Sequence, residues 1–430
     1  MKHISKILSA FAICAGFLAV SCNDQPDAFV PTDGVPEIHF VRYADQDVAI
    51  TQAYMGEILC LVGDNLRSVH EIWFNDQRSI LNTSYITDHT LIASVPNSVA
   101  EVETDKIYLM TRQNDTIAYD FKVLPPMPVI KSMECEYTKP GDIARIYGNY
   151  FIEPMTVEFM GASVSEFTSV TSEYVEFVMP EAEPGNVKVT TVAGTAQSKF
   201  HYRDTRGLMF EFDGVTGLSC HGWKTQPIEN DGTGISGNYV RLGDGTATGI
   251  MTADGGWNDG SFSFEYWPGD WNTPQTFVNE GKLLTDLVDF SDFANMSLKF
   301  ELMIPSATPW SAGMMQLVFA GTDLVTLGTA NNMYFRGTGG ENPNPGWPRG
   351  LYMPWTTKGA FHTNDKWITV TVPFSEFVYD ETGAQATQVL DSPDDFTSFL
   401  IFVWTAAGGP QGTECTPIFK IDNIRAVPNK

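Results

Sequence analysis

The sequence predicts an all-β protein that contains two similar β-sandwiches followed by a larger, different one. From residue 36 onward, apolar runs of four to eight residues alternate with Gly, Pro, Asn and Asp, and no stretch of helical length shows a 3.6-residue period. The 430 residues include 37 Gly and 25 Pro, and only 18% are charged, which is typical of a turn-rich globular chain. One segment also recurs at constant spacing, which predicts a duplicated fold.

Residues 1–21 have the pattern of a signal peptide. Lys2 and Lys6 precede an apolar stretch that runs to Val20, and the stretch contains no acidic residue. Small residues then stand immediately before Cys22, an arrangement that resembles a bacterial lipobox and implies that Cys22 is lipidated. Residues 22–35 would form a polar tether to a membrane that no other segment can span. An ordinary secretory signal that happens to contain a cysteine is the alternative.

The duplicated part comprises residues 36–124 and 125–203. Residues 56–66 align with residues 141–151 at a constant offset of 85, and Phe74 and Phe159 keep that offset. The second copy resembles the IPT/TIG family of immunoglobulin-like domains through the motifs Pro140-Gly141-Asp142, Ile146-Tyr147-Gly148 and Pro184-Gly185-Asn186-Val187. The resemblance implies that both copies are immunoglobulin-like spacers that carry the following domain away from the membrane.

Residues 204–430 hold nine of the ten tryptophans. Alternation along their strands predicts that Trp367 and Trp404 lie in the core. The others stand mostly among turn-forming residues, and loops lie at the surface, so these rings are expected to be exposed. Exposed large aromatic side chains mark binding surfaces, although individual rings can also fill the base of a loop.

Carbohydrate is the ligand that this residue set predicts. A pyranose ring offers an apolar C–H face to an aromatic side chain and hydroxyl groups at its rim to Asn, Asp and Arg. The residues predicted to bond these rim hydroxyls, near the loop tryptophans, are Asn258, Asp259, Asn331, Asn332, Arg336, Asn342, Asn344 and Arg349. Trp310 follows a predicted strand, and Tyr352 and Trp355 stand three residues apart around a proline. The predicted glycan-binding residues are Trp310, Tyr352 and Trp355, with a second group of Trp257, Trp271, Trp347 and Arg336.

A second resemblance supports this interpretation. Its motifs are Leu298-Lys299-Phe300-Glu301-Leu302, Pro309-Trp310-Ser311-Ala312-Gly313, Arg349-Gly350-Leu351-Tyr352-Met353-Pro354-Trp355 and Phe419-Lys420-Ile421-Asp422-Asn423-Ile424-Arg425. They are similar to the C-terminal domain of surface glycan-binding lipoproteins from the polysaccharide-utilisation (Sus-like) systems of the Bacteroidota. The resemblance implies a jelly-roll-like β-sandwich that captures a neutral plant or microbial polysaccharide at the outer membrane without catalysis. It also implies two partners, a TonB-dependent transporter and its SusD-like lipoprotein.

Several other functions are disfavoured or left open. The formal charge of −26 repels phosphate backbones, so nucleic acid is not an expected ligand. The seven histidines show no zinc-ligand spacing, and no cofactor is expected, although Asp422 is a candidate ligand for a structural calcium ion. A disulfide between Cys220 and Cys415 stays open. A glycoside hydrolase or lyase, or a protein-binding adhesin, remains the alternative function because fold alone does not decide activity.

Overall fold

The computed structural model describes residues 29–221, 225–256, 261–266, 268, 282–321 and 346–429. Its regular elements within these ranges are β-strands, short 3-10 helices and one four-residue α-helix, which confirms the all-β prediction. Among these residues, no helix combines the length and apolarity needed to cross a membrane. The predicted signal peptide and Cys22 lie outside the described ranges.

The first sandwich contains two four-stranded sheets and one parallel strand pair. Its strands are β1 (Glu37–Tyr43), β2 (Ala49–Ile50), β3 (Gln52–Tyr54), β4 (Ile58–Asp64), β5 (Val69–Phe74), β6 (Gln77–Ser79), β7 (Thr90–Ser94), β8 (Lys106–Thr111), β9 (Thr116–Asp120) and β10 (Lys122–Leu124). The sheet orders are β2-β1-β4-β7 and β6-β5-β8-β9, and β10 pairs with β3. Two 3-10 turns occur at Leu66–Ser68 and Thr83–Tyr85. Alternate residues such as Leu59, Leu61 and Ile72 are buried between the sheets.

The second sandwich repeats this plan in fewer strands. They are β11 (Val129–Met133), β12 (Ile143–Asn149), β13 (Thr156–Met160), β14 (Ala162–Val164), β15 (Ser169–Val170), β16 (Tyr174–Val178), β17 (Glu183–Thr191) and β18 (Gly194–Tyr202). The sheet orders are β11-β12-β16-β15 and β14-β13-β17-β18. Ile146, Val157 and Phe177 belong to the core between them.

The offset of 85 residues has a structural cause at the end of β4 and β12. A Cβ atom on Gly63 would lie 1.8 Å from the carbonyl oxygen of Glu37, and one on Gly148 would lie 1.9 Å from that of Val129. Only glycine permits this close approach of two strands. Two residues further on, Asn65 and Tyr150 both adopt the left-handed conformation, with φ of 54° and 61°. The repeated sequence thus encodes a repeated backbone turn.

The third sandwich, after residue 203, is larger. Its strands are β19 (Leu208–Phe210), β20 (Ile228–Glu229), β21 (Tyr239–Leu242), β22 (Ser263–Tyr266), β23 (Met296–Met303), β24 (Met314–Ala320), β25 (Gly350–Tyr352), β26 (Ile368–Pro373), β27 (Ser398–Trp404) and β28 (Phe419–Pro428). The α-helix is Trp355–Lys358. The 3-10 turns are Leu284–Asp286, Phe293–Asn295, Phe374–Glu376 and Pro393–Phe396.

An aromatic-rich core joins the two sheets of the third sandwich. One sheet has the order β20-β21-β28-β23-β26, with β19 also pairing β28, and the other has the order β22-β27-β24-β25. Phe319 lies 4.8 Å from Phe399 between ring centroids, and Phe290 stacks on Phe396 at 4.6 Å. Such aromatic pairs add to the area that the core buries. We call the side of the β22-β27-β24-β25 sheet that faces away from this core the outer face.

The second and third sandwiches form one compact unit, Met127–Lys430, separate from the first. Cys135 and Tyr137 of the second sandwich share an apolar cluster with Tyr239 and Trp367 of the third. The indole N–H of Trp367 donates to the carbonyl oxygen of Thr233 at 2.8 Å. Trp367 is therefore buried, as predicted, but it lies between two sandwiches and not inside the third.

A buried ionic network connects the same two sandwiches. The carboxylate of Glu136 forms an ion pair with Lys299 and accepts from Arg425 Nη2 at 2.8 Å. Arg425 Nη1 also donates to Glu301 at 2.7 Å, and Thr369 donates to Glu301 at 2.9 Å. Burial raises the pKa of Glu301 although Arg425 opposes that shift. The network thus contains two carboxylates and two cations, so its net charge is zero. Pairing of this kind offsets the free-energy cost of burying charges.

The described cysteines carry free thiols. Cys60 and Cys135 are buried, as the sequence predicted. Cys220 and Cys415 are half-buried, and the backbone of Cys415 pairs with that of Met251. The disulfide that the sequence left open between Cys220 and Cys415 is absent from this structure.

Candidate functional site

Trp310 lies in the core of the third sandwich. Its backbone pairs with that of Phe361 through two hydrogen bonds of 2.8 Å, and its ring contacts Phe419 at 5.1 Å between centroids. The indole N–H donates to the carbonyl oxygen of Ala312 at 2.5 Å, and the side chain is 0% exposed. A ring without an exposed face cannot stack on a sugar. The prediction that Trp310 is an exposed platform is therefore wrong, because its turn-rich segment folds back against residue 361.

Trp355 and Trp347 are also buried, at 7% and 6% exposure. Trp355 begins the short helix and donates from its indole N–H to the carbonyl oxygen of Gly313 at 2.9 Å. Trp347 donates to the carbonyl oxygen of Phe319 at 2.6 Å. In each ring the indole N–H, its one polar group, has a hydrogen-bond acceptor, as is usual for a buried tryptophan. Their predicted exposure is therefore wrong, because Trp355 packs into the core of the third sandwich and Trp347 into a second apolar cluster.

Tyr352 differs from these tryptophans. It stands at the end of β25, is half-buried, and lies 6.2 Å from Trp310 and 6.4 Å from Phe361 between ring centroids. Burial raises the pKa of its phenol to about 12. The structure therefore brings Tyr352 and Trp310 together, as the sequence predicted, but Trp310 supports Tyr352 from within the core.

The remaining predicted residues, Trp257, Trp271 and Arg336, lie outside the described residues. The same is true of the asparagines and the aspartate expected at the rim, namely Asn258, Asp259, Asn331, Asn332, Asn342 and Asn344. The rim residue Arg349 is described and is fully buried.

The outer face carries a buried aromatic and aliphatic cluster, of which the sequence predicted only Trp347 as a binding residue. Successive residues of β24 and β27 point alternately to the core and to the outer face. Leu317 and Ile401, for example, point to the core. The outer-face cluster consists of Val318, Ala320, Trp347, Leu400 and Phe402, with Leu390 and Trp404 packed against it. Trp404 is half-buried, so its predicted core position is wrong. Both sides of β27 are apolar, which is the signal that a second apolar surface exists beyond the core.

Polar groups lie beside this cluster. Arg349 Nη1 donates to Gln316 Oε1 at 2.7 Å, and Gln316 Nε2 donates to the carbonyl oxygen of Trp404 at 2.6 Å. Arg349 also donates to the carbonyl oxygen of Trp347 at 3.2 Å. This chain of bonds connects the backbone of Trp404 to the amide of Gln316 and the guanidinium of Arg349. Gln316 and Arg349 are themselves fully buried, so on this face the exposed part of the Trp404 ring is the surface that a pyranose could contact.

Asp422, the candidate calcium ligand, is buried in β28. Its Oδ2 accepts from the Ser236 hydroxyl at 2.9 Å and its Oδ1 accepts from the Asn423 backbone N–H at 2.7 Å. Burial is the main cause that raises the pKa of Asp422 to about 8, and the nearby charges of Glu301 and Asp213 add to the shift. Within the described ranges, no group of three His, Cys, Asp or Glu side chains is placed to hold a metal ion.

The raised pKa of Asp422 predicts a pH-dependent stability. The folded state holds this proton more tightly than the unfolded chain, whose aspartates titrate near about pH 4. The contribution of Asp422 to the free energy of unfolding should thus be largest below about pH 4 and should decline as the pH rises to about 8. Urea unfolding across this range should show a smaller decline for Asp422→Asn.

The matched control for this test is Asp365→Asn. Hydrogen bonds from Ser306 lower the pKa of Asp365, so its replacement should leave the decline between about pH 4 and 8 in place. An unchanged decline in Asp422→Asn would contradict the assignment.

Comparison with known proteins identifies the family of the third sandwich. A family model described as the surface glycan-binding protein B xyloglucan binding domain matches residues 202–428, which is the third sandwich. The solved structure of surface glycan-binding protein PbSGBP-B from Prevotella bryantii is similar at 40% identity and a TM-score of 0.78, over 93% of this chain and 100% of that one. An IPT/TIG domain-containing protein from Bacteroides ovatus is 29% identical over 171 residues, which are 36% of this chain and 34% of that relative's length. This chain therefore belongs to the surface glycan-binding protein B family, and its third sandwich is the part that matches the family's xyloglucan binding domain.

Proposed function

We propose that the chain captures polysaccharide at the cell surface without cleaving it, and that the ligand is a β-glucan of the xyloglucan type. The observation that carries this proposal is the half-buried Trp404 on the outer face of the sandwich that matches the family model. The sugar ring would stack on the exposed part of the Trp404 indole.

Affinity electrophoresis in gels that contain xyloglucan tests the proposal. The protein should be retarded by xyloglucan, and a reducing-end assay on the same mixture should detect no new chain ends. Migration unaffected by xyloglucan would contradict the ligand class. New reducing ends would show a glycoside hydrolase or lyase instead.

Trp404→Ala should weaken xyloglucan binding about tenfold or more, since one stacked aromatic ring contributes about 1 to 3 kcal/mol by analogy with base stacking. Isothermal titration measures the loss. The matched control is Trp73→Ala in the first sandwich, which also removes a half-buried indole but lies outside the family match. Equal affinities of Trp404→Ala and Trp73→Ala would contradict the outer-face site.

Trp257, Trp271 and Arg336 stay predictions for the same ligand. Their alanine variants belong in the titration series because the sequence places them in the same domain. Weaker binding with an unchanged melting temperature would support a direct contact of each residue with glycan.

Cys22 is proposed as the lipid anchor that holds the protein to the outer membrane, near a TonB-dependent transporter and its SusD-like lipoprotein. Cys22→Ala should move the protein from the membrane fraction to the soluble fraction, because the acyl chains on this cysteine supply the membrane affinity. Fractionation followed by immunoblotting measures this change, with Cys60→Ala as the control. A Cys22→Ala protein that stays in the membrane fraction would argue against lipidation.

A further inference from the structure

A groove of about 880 Å³ lies between the second and third sandwiches, within the compact unit Met127–Lys430. One wall comes from the second sandwich and includes Lys131, Tyr147 and Lys199. The other wall comes from the third sandwich and includes Tyr352, Lys358 and residues 360–364. We call this space the interdomain groove. Its volume is in the range of pockets that hold small ligands.

The walls of the interdomain groove are fixed before any ligand binds. Glu136 and Lys299 line its base and belong to the buried ionic network that joins the two sandwiches. On the third sandwich, Phe361 is paired with Trp310, and the backbone N–H of Thr363 donates to the carbonyl oxygen of Ile304 at 3.0 Å. A preformed site loses little conformational entropy on binding.

Three lysines give the groove a positive charge that the carboxylates in its lining do not neutralise. Lys131, Lys199 and Lys358 are exposed and form no ion pair with any described residue. The two carboxylates in the lining of the groove already form ion pairs with other cations. Glu134 lies 3.6 Å from Arg145, and Glu136 pairs with Lys299 and Arg425. Three uncompensated cations in a chain of net charge −26 indicate an anionic ligand.

Aromatic rings line the same space. Tyr147, Tyr352 and Phe361 contribute to the walls, and Tyr352 is the predicted glycan-binding residue that remains half-buried. His362 lies beside them, and its Nδ1 accepts from the backbone N–H of Asn364 at 3.2 Å, which leaves Nε2–H as the ring's donor. Lysines next to aromatic surface suit a ligand that has both carboxylates and apolar C–H faces.

We propose that the interdomain groove binds an acidic saccharide, a chain of uronate residues, at a site separate from the outer face. Carboxylates would pair with Lys131, Lys199 and Lys358, and pyranose faces would pack on Tyr147 and Tyr352. The acidic remainder of the protein opposes this ligand at long range. At about 0.15 M salt the Debye length is about 8 Å, so distant charges are screened while groove lysines in contact with the ligand are not.

Titration calorimetry of the full chain at about 0.15 M salt tests the proposal. The probes are a hexameric oligogalacturonate and its methyl ester, which has the same backbone without charge. The wild-type protein should bind the acid at least about tenfold more tightly than the ester, a difference of about 1.4 kcal/mol. The triple variant Lys131→Ala, Lys199→Ala and Lys358→Ala should lose about tenfold or more of this affinity.

The matched control replaces Lys122, Lys188 and Lys366 by alanine. These lysines are exposed and lie outside the groove, so the control makes the same change in net charge. Its affinity for oligogalacturonate should stay within about twofold of the wild type, and the groove variant should keep its xyloglucan affinity. Equal losses in the two triple variants, equal affinities for acid and ester, or no binding of the acid would each overturn the proposal. Retardation by xyloglucan does not depend on this result. A failure of the acidic-saccharide proposal can therefore be distinguished from a failure of the xyloglucan proposal.

Discussion

Glu136→Gln is expected to lower the free energy of unfolding of the unit Met127–Lys430 by about 3 to 5 kcal/mol, the cost of breaking a buried ion pair. Glu136 is the carboxylate through which the second sandwich meets Lys299 and Arg425 of the third. Its removal leaves two buried cations with Glu301 as their one remaining carboxylate in the network. Urea unfolding followed by tryptophan fluorescence measures the loss.

The control for this result is Glu176→Gln. Glu176 pairs with Arg145 on the surface of the second sandwich, where both side chains are partly exposed. Such pairs contribute about 0 to 1 kcal/mol, so this variant should unfold nearly as the wild type does. Equal stabilities of the two variants would show that the Glu136 network does not hold the sandwiches together.

A double variant separates the loss of a charge partner from the loss of packing. Lys299→Met removes the cation that Glu136 neutralises and keeps a side chain of similar length. In combination with Glu136→Gln it should recover part of the lost stability, because one of the unpaired cations disappears. A double variant that is less stable than the sum of the single losses would contradict this coupling.

Trp310→Ala is expected to lower the free energy of unfolding by about 3 to 5 kcal/mol, the usual cost of removing a large buried aromatic side chain. Trp310 is fully buried against Phe419 and Tyr352, and its indole N–H is bonded within the core. The change therefore leaves a cavity and an unpaired carbonyl oxygen at Ala312. Thermal and urea unfolding of the purified protein measure the effect.

Trp404→Ala is the matched tryptophan control for Trp310→Ala. Its ring is half-buried on the outer face, so its loss should cost less stability than that of Trp310. The two variants should thus show opposite profiles, with Trp310→Ala affecting mainly stability and Trp404→Ala mainly xyloglucan affinity. A Trp310→Ala protein with unchanged stability and lost glycan binding would restore Trp310 as a platform.

The burial of individual tryptophans shows where sequence reasoning reached its limit. Trp310 stands among turn-forming residues, yet its backbone pairs with Phe361, more than 50 residues away. Trp404 stands in an apolar strand, but its neighbours on both sides of the sheet are apolar, so alternation alone does not tell which side is the core. The concentration of tryptophan in the third sandwich was readable from the sequence, whereas the half-buried position of Trp404 was not.

The motifs that resemble the lipoprotein family had a further role that the sequence did not disclose. Lys299, Glu301 and Arg425 belong to these motifs, and Lys299 and Arg425 pair with Glu136 of the second sandwich. Their partner Glu136 is 163 residues away from Lys299 in the sequence. A pairing over such a distance leaves no local pattern, so the fusion of two sandwiches into one unit became visible only in the structure.

By itself, the sequence determined the all-β class, the duplicated sandwich and the domain that carries the tryptophans. These features depend on local chemistry, namely strand alternation, turn residues and glycines such as Gly63 and Gly148 that a close strand approach requires. Only the tertiary structure decided which rings are buried, where the outer face and the interdomain groove lie, and which charges neutralise each other. Those features depend on contacts between residues far apart in the chain, and neither composition nor period encodes which distant surfaces will meet.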